Sequence, residues 1–452
     1  MSTGPVRDLV PLREATRTWF AISLQTFGGP AGQIAVMQRT LVDEKRWLGE
    51  RRFLHALSYC MLLPGPEAQQ LAIYTGWLLN GWIGGFIAGT LFVLPGLLAL
   101  LALSWAYVAH GDTALVTGLF VGLAPAVLAI VVQAVIRLSR RALWHPVLQG
   151  IAIAAFAGLA LLGIPFPIVI AVAGLAGWVA ARGVPQLGHL PGPAAGAADA
   201  AAPVIADDAL HLALPTWRRN AALLVGGLAL WLAPVGAAAV LVGRDSVLVD
   251  QGTFFAGTAL VTFGGAYAVL AFVAQQAVHT FGWLSGAEMI KGLALAETTP
   301  GPLIMVVQFV AFVGAYRHPG GLDPWVAAVL GSLLTVWVTF VPCYFFIFLG
   351  APYVERLRSN RTLAAALAGI TAAVVGVIAN LAIFFALHTL FTRTQTVAAG
   401  PVVVDLPVLT SADPTAWVIA AVALALIFVR GWSPLRTLGV CALLGLGATL
   451  VG

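Results

Sequence analysis

The chain has 452 residues, of which 60% are hydrophobic and only 9% are charged, and its net charge is +5. Because an average soluble domain carries roughly 25% charged residues, this composition excludes a soluble enzyme, a disordered regulator and a secreted disulfide scaffold, and it indicates a protein that uses lipid as its solvent. The basic residues are scattered or confined to short loops, so the positive balance does not indicate nucleic-acid binding.

The first residues, MSTGPVRDLVPLREATR, lack the apolar core of a signal peptide. They carry Arg7, Arg13 and Arg17, and because cytoplasmic segments collect basic residues, we expect a cytoplasmic N-terminus. The three cysteines lie far apart, and the chain has no CxxC, HExxH or P-loop string. We therefore expect neither a metal nor a cofactor.

A helix needs about 20 apolar residues to cross the hydrocarbon core of a bilayer. Between 183 and 215 the composition changes to proline, alanine and glycine, which predicts a flexible cytoplasmic linker. A second polar loop is predicted from about 392 to 413. The candidate spans lie at roughly 81–105, 114–137, 145–163, 164–181, 219–241, 324–350, 362–390, 414–430 and 433–451.

Two further regions are apolar but contain residues that break helices. Broken backbone inside a bilayer is tolerated only where it is buried in protein or lines a cavity. We therefore interpret 12–42 and 47–80 as helical hairpins or broken helices, with ordinary turns or helix packing as the alternative for any single break. The breaks are Phe27-Gly28-Gly29-Pro30, Pro64-Gly65-Pro66, Phe263-Gly264-Gly265 and Pro300-Gly301-Pro302.

The two interrupted regions are copies of each other. A constant offset of 236 residues, with no gap, aligns Thr26 with Thr262, and it also aligns the two Phe-Gly-Gly strings, Trp47-Leu48 with Trp283-Leu284, and the two Pro-Gly-Pro strings. Farther along, an offset of 247 aligns Pro95 with Pro342, Gly122 with Gly369, and Gln133 with Asn380. The second alignment is weaker, because apolar helices resemble one another by composition.

Loop charges predict that the two copies have opposite orientations in the membrane. Residues 39–52 hold five Lys or Arg residues whereas the matching 275–288 hold none. The bias alternates at the next two pairs of loops: 106–114 hold no Lys or Arg whereas 353–361 hold three, and Arg137, Arg140 and Arg141 match 384–388, which hold none. Arg317 disagrees, because it falls on the side that we assign as external. The predicted organisation is a first repeat over 1–182, the linker over 183–215, a connecting transmembrane helix over 216–242, a second repeat over 243–391, and a loop with a C-terminal helical hairpin over 392–452.

The strings FGGPAGQIAVMQ and LPGPEAQQLAIYTGWLLNGWIGGFIAGTLFVLPG resemble the first half of the bacterial chromate transporter family in its long, two-domain form. FGGAYAVLAFV and AETTPGPLIMVVQFVAFVGAY resemble its second half. The resemblance covers most of the chain outside the linker and the last two spans. It implies an inner-membrane protein that exports chromate and confers chromate resistance, with sulfate as the expected competitor. The second copy departs from the pattern at Ala266, where the first has Pro30.

The fold class that we predict is an all-α polytopic membrane protein with two inverted-topology repeats and broken or re-entrant helices. Each broken helix exposes unpaired N–H groups and about +0.5 charge at its N-terminus. Four such ends sum to roughly +2, which matches a tetrahedral dianion. The predicted substrate-binding residues are the four breaks and polar residues near them: Phe27, Gly28, Gly29, Pro30, Gln33, Pro64, Gly65, Pro66, Gln69, Gln70, Phe263, Gly264, Gly265, Thr299, Pro300, Gly301, Pro302 and Gln308.

Each polar side chain in that set has a structural alternative. Glutamine amides can donate to an oxyanion, but they also bridge helices. Thr298 and Thr299 could donate as well, although threonines in apolar helices often bond their own backbone. Lys291 could attract the anion or extend its ammonium to the interface.

Glu67 and Glu297 stand next to the two Pro-Gly-Pro breaks. A bound dianion would repel their charge and favour their protonation. We therefore predict the pair as proton-coupling candidates, with a helix cap or an ion pair with Lys291 as the alternative.

The predicted function is a secondary transporter that exports chromate, with lipid bilayer and anion as its partners. The alternatives are uptake or exchange of sulfate or another oxyanion, a membrane-embedded enzyme, and a membrane scaffold or receptor. No clustered His, Asp and Ser constellation supports an enzyme. The sequence leaves the energy source and the oligomeric state, including a homodimer, open.

Overall fold

The structure, a computed structural model, describes residues 9–27, 29–188, 204–205, 216–263, 265–351, 361–399 and 402–451. The expected all-α membrane protein is confirmed within these residues, which are predominantly helical. The linker prediction falls largely on residues outside this range. The helices are α1 Leu12–Ser23, α2 Gly29–Gln38, α3 Glu50–Cys60, α4 Glu67–His110, α5 Ala114–Ala142, α6 Pro146–Ala160, α7 Phe166–Ala180, α8 Trp217–Leu241, α9 Val247–Val261, α10 Ala266–Gln275, α11 Gly286–Thr298, α12 Val306–Arg317, α13 Pro324–Gly350, α14 Arg361–Leu390, α15 Pro414–Phe428 and α16 Pro434–Val451.

Five of these helices, α4, α5, α8, α13 and α14, are long and apolar enough to cross a bilayer. The stretches expected to span at 145–163, 164–181 and 414–430 form shorter helices, α6, α7 and α15, of 15 residues each. At 1.5 Å per residue each is about 22 Å long, which is less than the roughly 30 Å of the hydrocarbon core. The chain is therefore a multi-pass membrane protein that combines full-length spans with shorter helices.

The longest helix, α4, reverses direction at Asn80 and Gly81, where the backbone leaves helical geometry. Gly76 before the reversal contacts Gly84 and Ala88 after it, so the two arms pack against each other. Gly81 has φ +61°, a conformation that glycine adopts without steric cost. Asn80 closes the turn by donating from its amide to the carbonyl oxygen of Val10 at 2.6 Å.

The interrupted regions form broken helices. In the first, a break separates α1 from α2 and another separates α3 from α4; in the second, breaks separate α9 from α10 and α11 from α12. A short 3-10 turn, Leu303–Met305, leads directly into α12. One π-helical turn follows α2, at Arg39–Glu44, and another follows α10, at Gln276–Thr280.

These elements recur at the offset of 236 residues that the sequence predicts. Gly29 and Gly265 both have positive φ, +75° and +103°, and Gly65 and Gly301 have φ +115° and +107°. The backbone N–H of Trp47 donates to Leu41, as that of Trp283 donates to Ala277. The two regions thus share a sequence of elements and turns, while their opposite orientation stays a prediction.

Close glycine contacts join the helices that follow the breaks. Gly177 of α7 contacts Gly369 of α14, and Gly122 of α5 contacts Gly445 of α16, each backbone to backbone. Small residues allow helices to approach closely in lipid, where packing replaces the hydrophobic effect as the attraction between helices. The helix before the second region, α8, packs on α13 through Trp231, whose indole N–H donates to Val338 at 2.7 Å.

The polar loop expected at 392–413 contains an antiparallel hairpin, β1 Thr394–Ala399 and β2 Val402–Pro407. The threonines of β1 and the three consecutive valines of β2 favour extended backbone, a local signal that the loop interpretation overlooked. Thr396 donates to the carboxylate of Asp405 across the hairpin at 2.6 Å.

Arg317, the exception to the charge bias, is neutralised by a neighbouring carboxylate. Its guanidinium makes two hydrogen bonds to Glu288, at 2.6 and 2.8 Å. Ser285 and Glu288 also form a capping box at the start of α11. The pair carries little net charge, so Arg317 is a weak indicator of topology.

Candidate functional site

The breaks of the two regions are tied to each other by reciprocal backbone hydrogen bonds. The N–H of Gly301 donates to the carbonyl oxygen of Thr26, and the N–H of Gly65 donates to that of Thr262, both at 2.9 Å. Each Pro-Gly-Pro turn therefore sits against the residue before the Phe-Gly-Gly string of the other region. The positive φ of Gly65 and Gly301 is what lets both turns present their N–H groups in this way.

Four helices begin around one small cavity at this junction. Its wall includes the first residues of α2, α4 and α10 and the 3-10 turn before α12. The volume open to the centre of a water molecule is about 20 Å³, which is room for roughly one water. The lining residues are Pro30, Gln33, Pro66, Glu67, Ala68, Thr262, Ala266, Pro302, Leu303 and Ile304.

Helix N-termini carry unpaired N–H groups and partial positive charge. With four of them on one cavity and no Lys or Arg among the described residues of its wall, the helix dipoles contribute positive potential without the cost of a buried cation. Pro30 and Pro66 lack N–H groups, and this removes no intrahelical hydrogen bond from the first turn of a helix. The arrangement can stabilise an anion through backbone dipoles.

Gln33 is the amide that the structure brings to this cavity. Its side chain is buried, and its Nε2 donates to the carbonyl oxygen of Gly301 at 2.6 Å. That bond uses one of the two amide hydrogens. Gln33 therefore both lines the cavity and links α2 to the opposite Pro-Gly-Pro turn.

The other predicted amides and hydroxyls bond to the backbone. Gln70 Nε2 donates to the carbonyl oxygen of Pro64 at 2.7 Å, and Gln308 Nε2 donates to Leu97 at 3.0 Å. Thr299 donates to Ala296 in its own helix, as the structural alternative for threonine expects. These side chains hold the breaks in shape, and none of them lines the small cavity.

Several predicted residues lie beside the cavity without lining it. Gln69 is fully buried near Tyr344. Gly65 and Gly301 contribute through the hydrogen bonds described above. Phe27, Pro64, Phe263 and Pro300 flank the breaks. Gly28 and Gly264 lie outside the described residues.

Among the residues that the structure describes in the cavity wall, Glu67 is the one acidic side chain, and it is the first residue of α4. A β-carbon placed on Gly265 would lie 3.8 Å from its Oε1 atom, so the carboxylate faces the start of α10. A helix N-terminus stabilises a carboxylate. The Glu67 carboxylate lies near two helix N-termini, that of its own helix α4 and that of α10. Glu67 therefore occupies part of the electropositive space that an anion would use.

Glu297 lies close by but in a different setting. It is 2% exposed, near the C-terminal end of α11, and the hydroxyl of Tyr267 donates to its Oε1 at 2.6 Å. A negative charge at a helix C-terminus is unfavourable. Tyr267, on the first turn of α10, connects this carboxyl group to the junction of the four helices.

Lys291 is directed away from the breaks. Its ammonium lies over the rings of Tyr107 and Phe120, at 5.6 and 5.5 Å, and it forms no ion pair with Glu297. Arg39 pairs with Glu44 at 3.3 Å outside the cavity. Neither cation lines the small cavity.

A second, larger cavity of about 170 Å³ adjoins the first. It shares Pro30, Glu67 and Ala266 with the small cavity, and Gln133, Arg137 and Arg141 of α5 line another part of its wall. From the sequence, these arginines indicate only topology, and Gln133 indicates only a match between the two regions. Gln133, Arg137 and Arg141 are spaced four residues apart, which places them on one helix face. This spacing is the sequence signal that could have identified them as residues lining a common cavity.

Comparison with known proteins gives the family context. The chain matches the family model described as chromate transporter over residues 13–178 and 249–446, so the resemblance noted in the sequence is confirmed and extends through α15 into α16. It is 35% identical to a chromate transport protein of Pseudomonas aeruginosa over 360 residues, 78% of this chain and 76% of that protein. It is 28% identical to a chromate transport protein of Cupriavidus metallidurans over 377 residues, 83% of this chain and 82% of that protein. No solved structure matches.

Proposed function

The chain belongs to the chromate transporter family, and from this premise we propose that it is a secondary transporter that exports chromate across the bacterial inner membrane and so confers chromate resistance. The observation that carries the proposal is the convergence of four helix N-termini on one cavity. In our account, chromate binds there between two inverted repeats. Sulfate, a tetrahedral dianion of similar shape and charge, competes with it.

The electrostatics suit a dianion that must also leave again. Four helix ends contribute roughly +2 in total, and amides such as Gln33 donate without adding charge. A site built with buried arginines would bind more tightly and would cost more to insert into the bilayer. Dipoles and amides give enough attraction to bind the anion and little enough to release it.

The small cavity holds about one water, whereas chromate has five heavy atoms. Binding at this point therefore requires the four helix starts to separate. The reciprocal bonds of Thr26 with Gly301 and of Thr262 with Gly65 cross the boundary between the two regions. A rocking motion of one repeat against the other would open the site to each side in turn, as in other inverted-repeat transporters.

The larger cavity gives the proposal a direction. Arg137 and Arg141 lie at the C-terminal end of α5, which the positive-inside rule assigns to the cytoplasm. A cavity on that side is where a substrate for export would collect. The rule likewise assigns the N-terminus to the cytoplasm.

Energy coupling is proposed to run through the two buried carboxyl groups. When chromate approaches the helix starts, it repels the charge of Glu67, so binding of the anion is linked to binding of a proton. Glu297 would exchange its proton with the hydroxyl of Tyr267 nearby. The dianion with one proton still carries net negative charge, so the membrane potential, which is negative inside, favours its export, and no nucleotide site is needed.

Chromate accumulation in bacterial cells with and without the protein tests the function. We expect cells with the protein to accumulate less chromate, and everted membrane vesicles to take up chromate in a way that sulfate inhibits. A Gln33→Glu variant, which places a negative charge among the helix starts without changing side-chain size, is the matched inactive control. Higher accumulation in cells with the protein would instead indicate oxyanion uptake, and unchanged accumulation and flux would contradict transport.

A further inference from the structure

We propose that the 170 Å³ cavity is a second oxyanion site, a vestibule in which Gln133, Arg137 and Arg141 hold the anion before it reaches the four helix starts. This inference rests on the proposed function, because it concerns the route to the same site. It assigns a binding role to three residues of α5 that lie outside the sequence breaks.

Three polar side chains of α5 lie on one helix face and line the cavity. Gln133, Arg137 and Arg141 follow one another at intervals of four residues on α5, and residues four apart lie on the same face of a helix. All three line the cavity, as do Ala134 and Leu138 on the same face. Arg140, next to Arg141 in sequence, does not line it. Of the three arginines at this end of α5, Arg137 and Arg141 therefore line the cavity and Arg140 does not.

Arg137 and Arg141 place two positive charges on the wall of this cavity. Among the described residues, no ion pair involves Arg137 or Arg141. Two like charges four residues apart on a helix repel each other, and an anion held between them removes that repulsion. Arginine binds tetrahedral oxyanions well because its planar guanidinium can donate two parallel hydrogen bonds. An oxyanion is therefore the ligand class that the cavity favours.

The larger cavity is continuous with the small cavity at the four helix starts, because the two share lining residues. Opposite α5, the wall of the larger cavity is formed by Gly29 and Pro30 at the start of α2 and by Gly265 and Ala266 at the start of α10. An anion in the vestibule thus already faces two of the four helix N-termini. On the way inward it has to pass Glu67, which lines both cavities.

Glu67 then acts as the barrier between the two sites. Arg141 and Glu67 line the same cavity, so the positive charge of Arg141 attracts this carboxylate. An oxyanion that binds Arg141 shields that attraction and adds its own repulsion, so Glu67 is released from its position or takes up a proton. Occupancy of the vestibule would in this way open the route to the inner site.

The test is chromate flux into proteoliposomes that contain the full chain in zwitterionic lipid. We expect the double variant Arg137→Gln with Arg141→Gln to raise KM for chromate at least tenfold while changing kcat less than twofold, and to lose most of the dependence of kcat/KM on ionic strength. Lysine at both positions should restore part of the ionic-strength dependence. Arg140→Gln is the matched control and should behave as the wild type.

The outcomes separate this inference from the proposed function. If the wild type carries no chromate, the proposed function fails, and binding of radiolabelled sulfate to the purified protein still tests the vestibule, since the double variant should bind more weakly. If the wild type transports and the double variant has the KM of the Arg140→Gln control, the vestibule is wrong. If the double variant differs only in vesicles containing anionic lipid, the arginines hold a lipid headgroup, which also overturns the proposal.

Discussion

The backbone N–H of Gly65 donates to the carbonyl oxygen of Thr262 at 2.9 Å, although the two residues lie 197 positions apart, in different interrupted regions of the chain. The equivalent pair, Gly301 and Thr26, has the same bond at the same distance. These two bonds hold each Pro-Gly-Pro turn against the residue that precedes the Phe-Gly-Gly string of the other region. The small cavity lies at their junction, so its shape depends on both turns.

Alanine at Gly301 should therefore damage the site more than alanine at Gly65. Both positions have φ above +100°, where a side chain is strained by roughly 1–3 kcal/mol. A β-carbon at Gly301 would also lie 3.2 Å from the Cα of Gly96, whereas at Gly65 its neighbours are side-chain atoms of Gln70 and Cys343. Thermal unfolding in detergent, together with chromate flux, measures the difference.

The matched control is Gly226→Ala within α8, where a β-carbon meets open space. It should leave unfolding unchanged or slightly raise its midpoint, because alanine favours a helix by up to about 1 kcal/mol. Equal behaviour of all three variants would show that the turn conformations do not matter.

Gln33→Ala should lower chromate flux about tenfold. The change removes the bond to Gly301 and one neutral donor from the cavity wall, and the net worth of such a bond, about 1–1.5 kcal/mol, corresponds to that factor. Gln38→Ala, on the same helix but lining neither cavity, should keep wild-type flux. Initial rates in vesicles are the measurement, and equal losses in the two variants would argue against a specific role.

Glu67→Gln should make chromate flux less dependent on pH, because a neutral amide cannot exchange a proton with the approaching anion. Glu297→Gln should do the same if Tyr267 and Glu297 form the second step. Flux measured across a series of pH values tests both variants. Glu50→Gln, at an exposed helix start, is the control, and a wild-type pH profile in Glu67→Gln or Glu297→Gln would eliminate that residue from coupling.

The ion pair of Glu288 with Arg317 should stabilise the folded protein at neutral pH and lose this stabilisation in acid. Burial acts to raise the pKa of Glu288, but hydrogen bonds from Arg317 and Ser285 outweigh it and lower that pKa to about 2. The stabilisation is therefore complete above the ordinary value of 4.5 and is lost as pH falls from there toward 2. Because Arg317 is 45% exposed, we expect about 1–2 kcal/mol.

The unfolding midpoint of the wild type should consequently fall between pH 7 and pH 3 by more than that of Glu288→Gln, which has no charge to lose at this position. At pH 7 the variant should be the less stable of the two. Parallel pH dependence in both proteins would show that the pair contributes nothing.

The sequence was sufficient to locate the breaks, because glycine and proline strings are rare inside apolar segments and here occur twice at one offset. Each Pro-Gly-Pro turn does meet, in space, the threonine that precedes the Phe-Gly-Gly string of the other region. The reversal of α4 at Asn80 and Gly81 was harder to predict. Its signal is one asparagine and one glycine in a long apolar run, which resembles an ordinary span.

The roles of single polar residues were less predictable. Gln33 and Gln70 look equivalent in sequence, since each follows a break by a few residues. In the structure Gln33 faces the cavity while Gln70 turns back to the carbonyl oxygen of Pro64. Helix rotation decides between the two, and a run that is apolar on all sides gives no periodic pattern from which to determine it.

Arg137 and Arg141 show the opposite limitation. Their charges were recognised, but they were assigned to topology because loop arginines usually mark the cytoplasmic side. Only the packing of α5 beside the starts of α2 and α10 places them on a cavity. A residue can serve both purposes, and composition alone does not distinguish them.

The most direct measurement is anomalous diffraction from crystals of the protein grown with selenate, a tetrahedral dianion that carries its own anomalous scatterer. The account predicts a selenium peak enclosed by the first residues of α2, α4 and α10 and by the turn before α12, with backbone N–H groups directed at its oxygens. Selenium found only elsewhere on the protein, with the space between the four helix starts still closed by side chains, would contradict it.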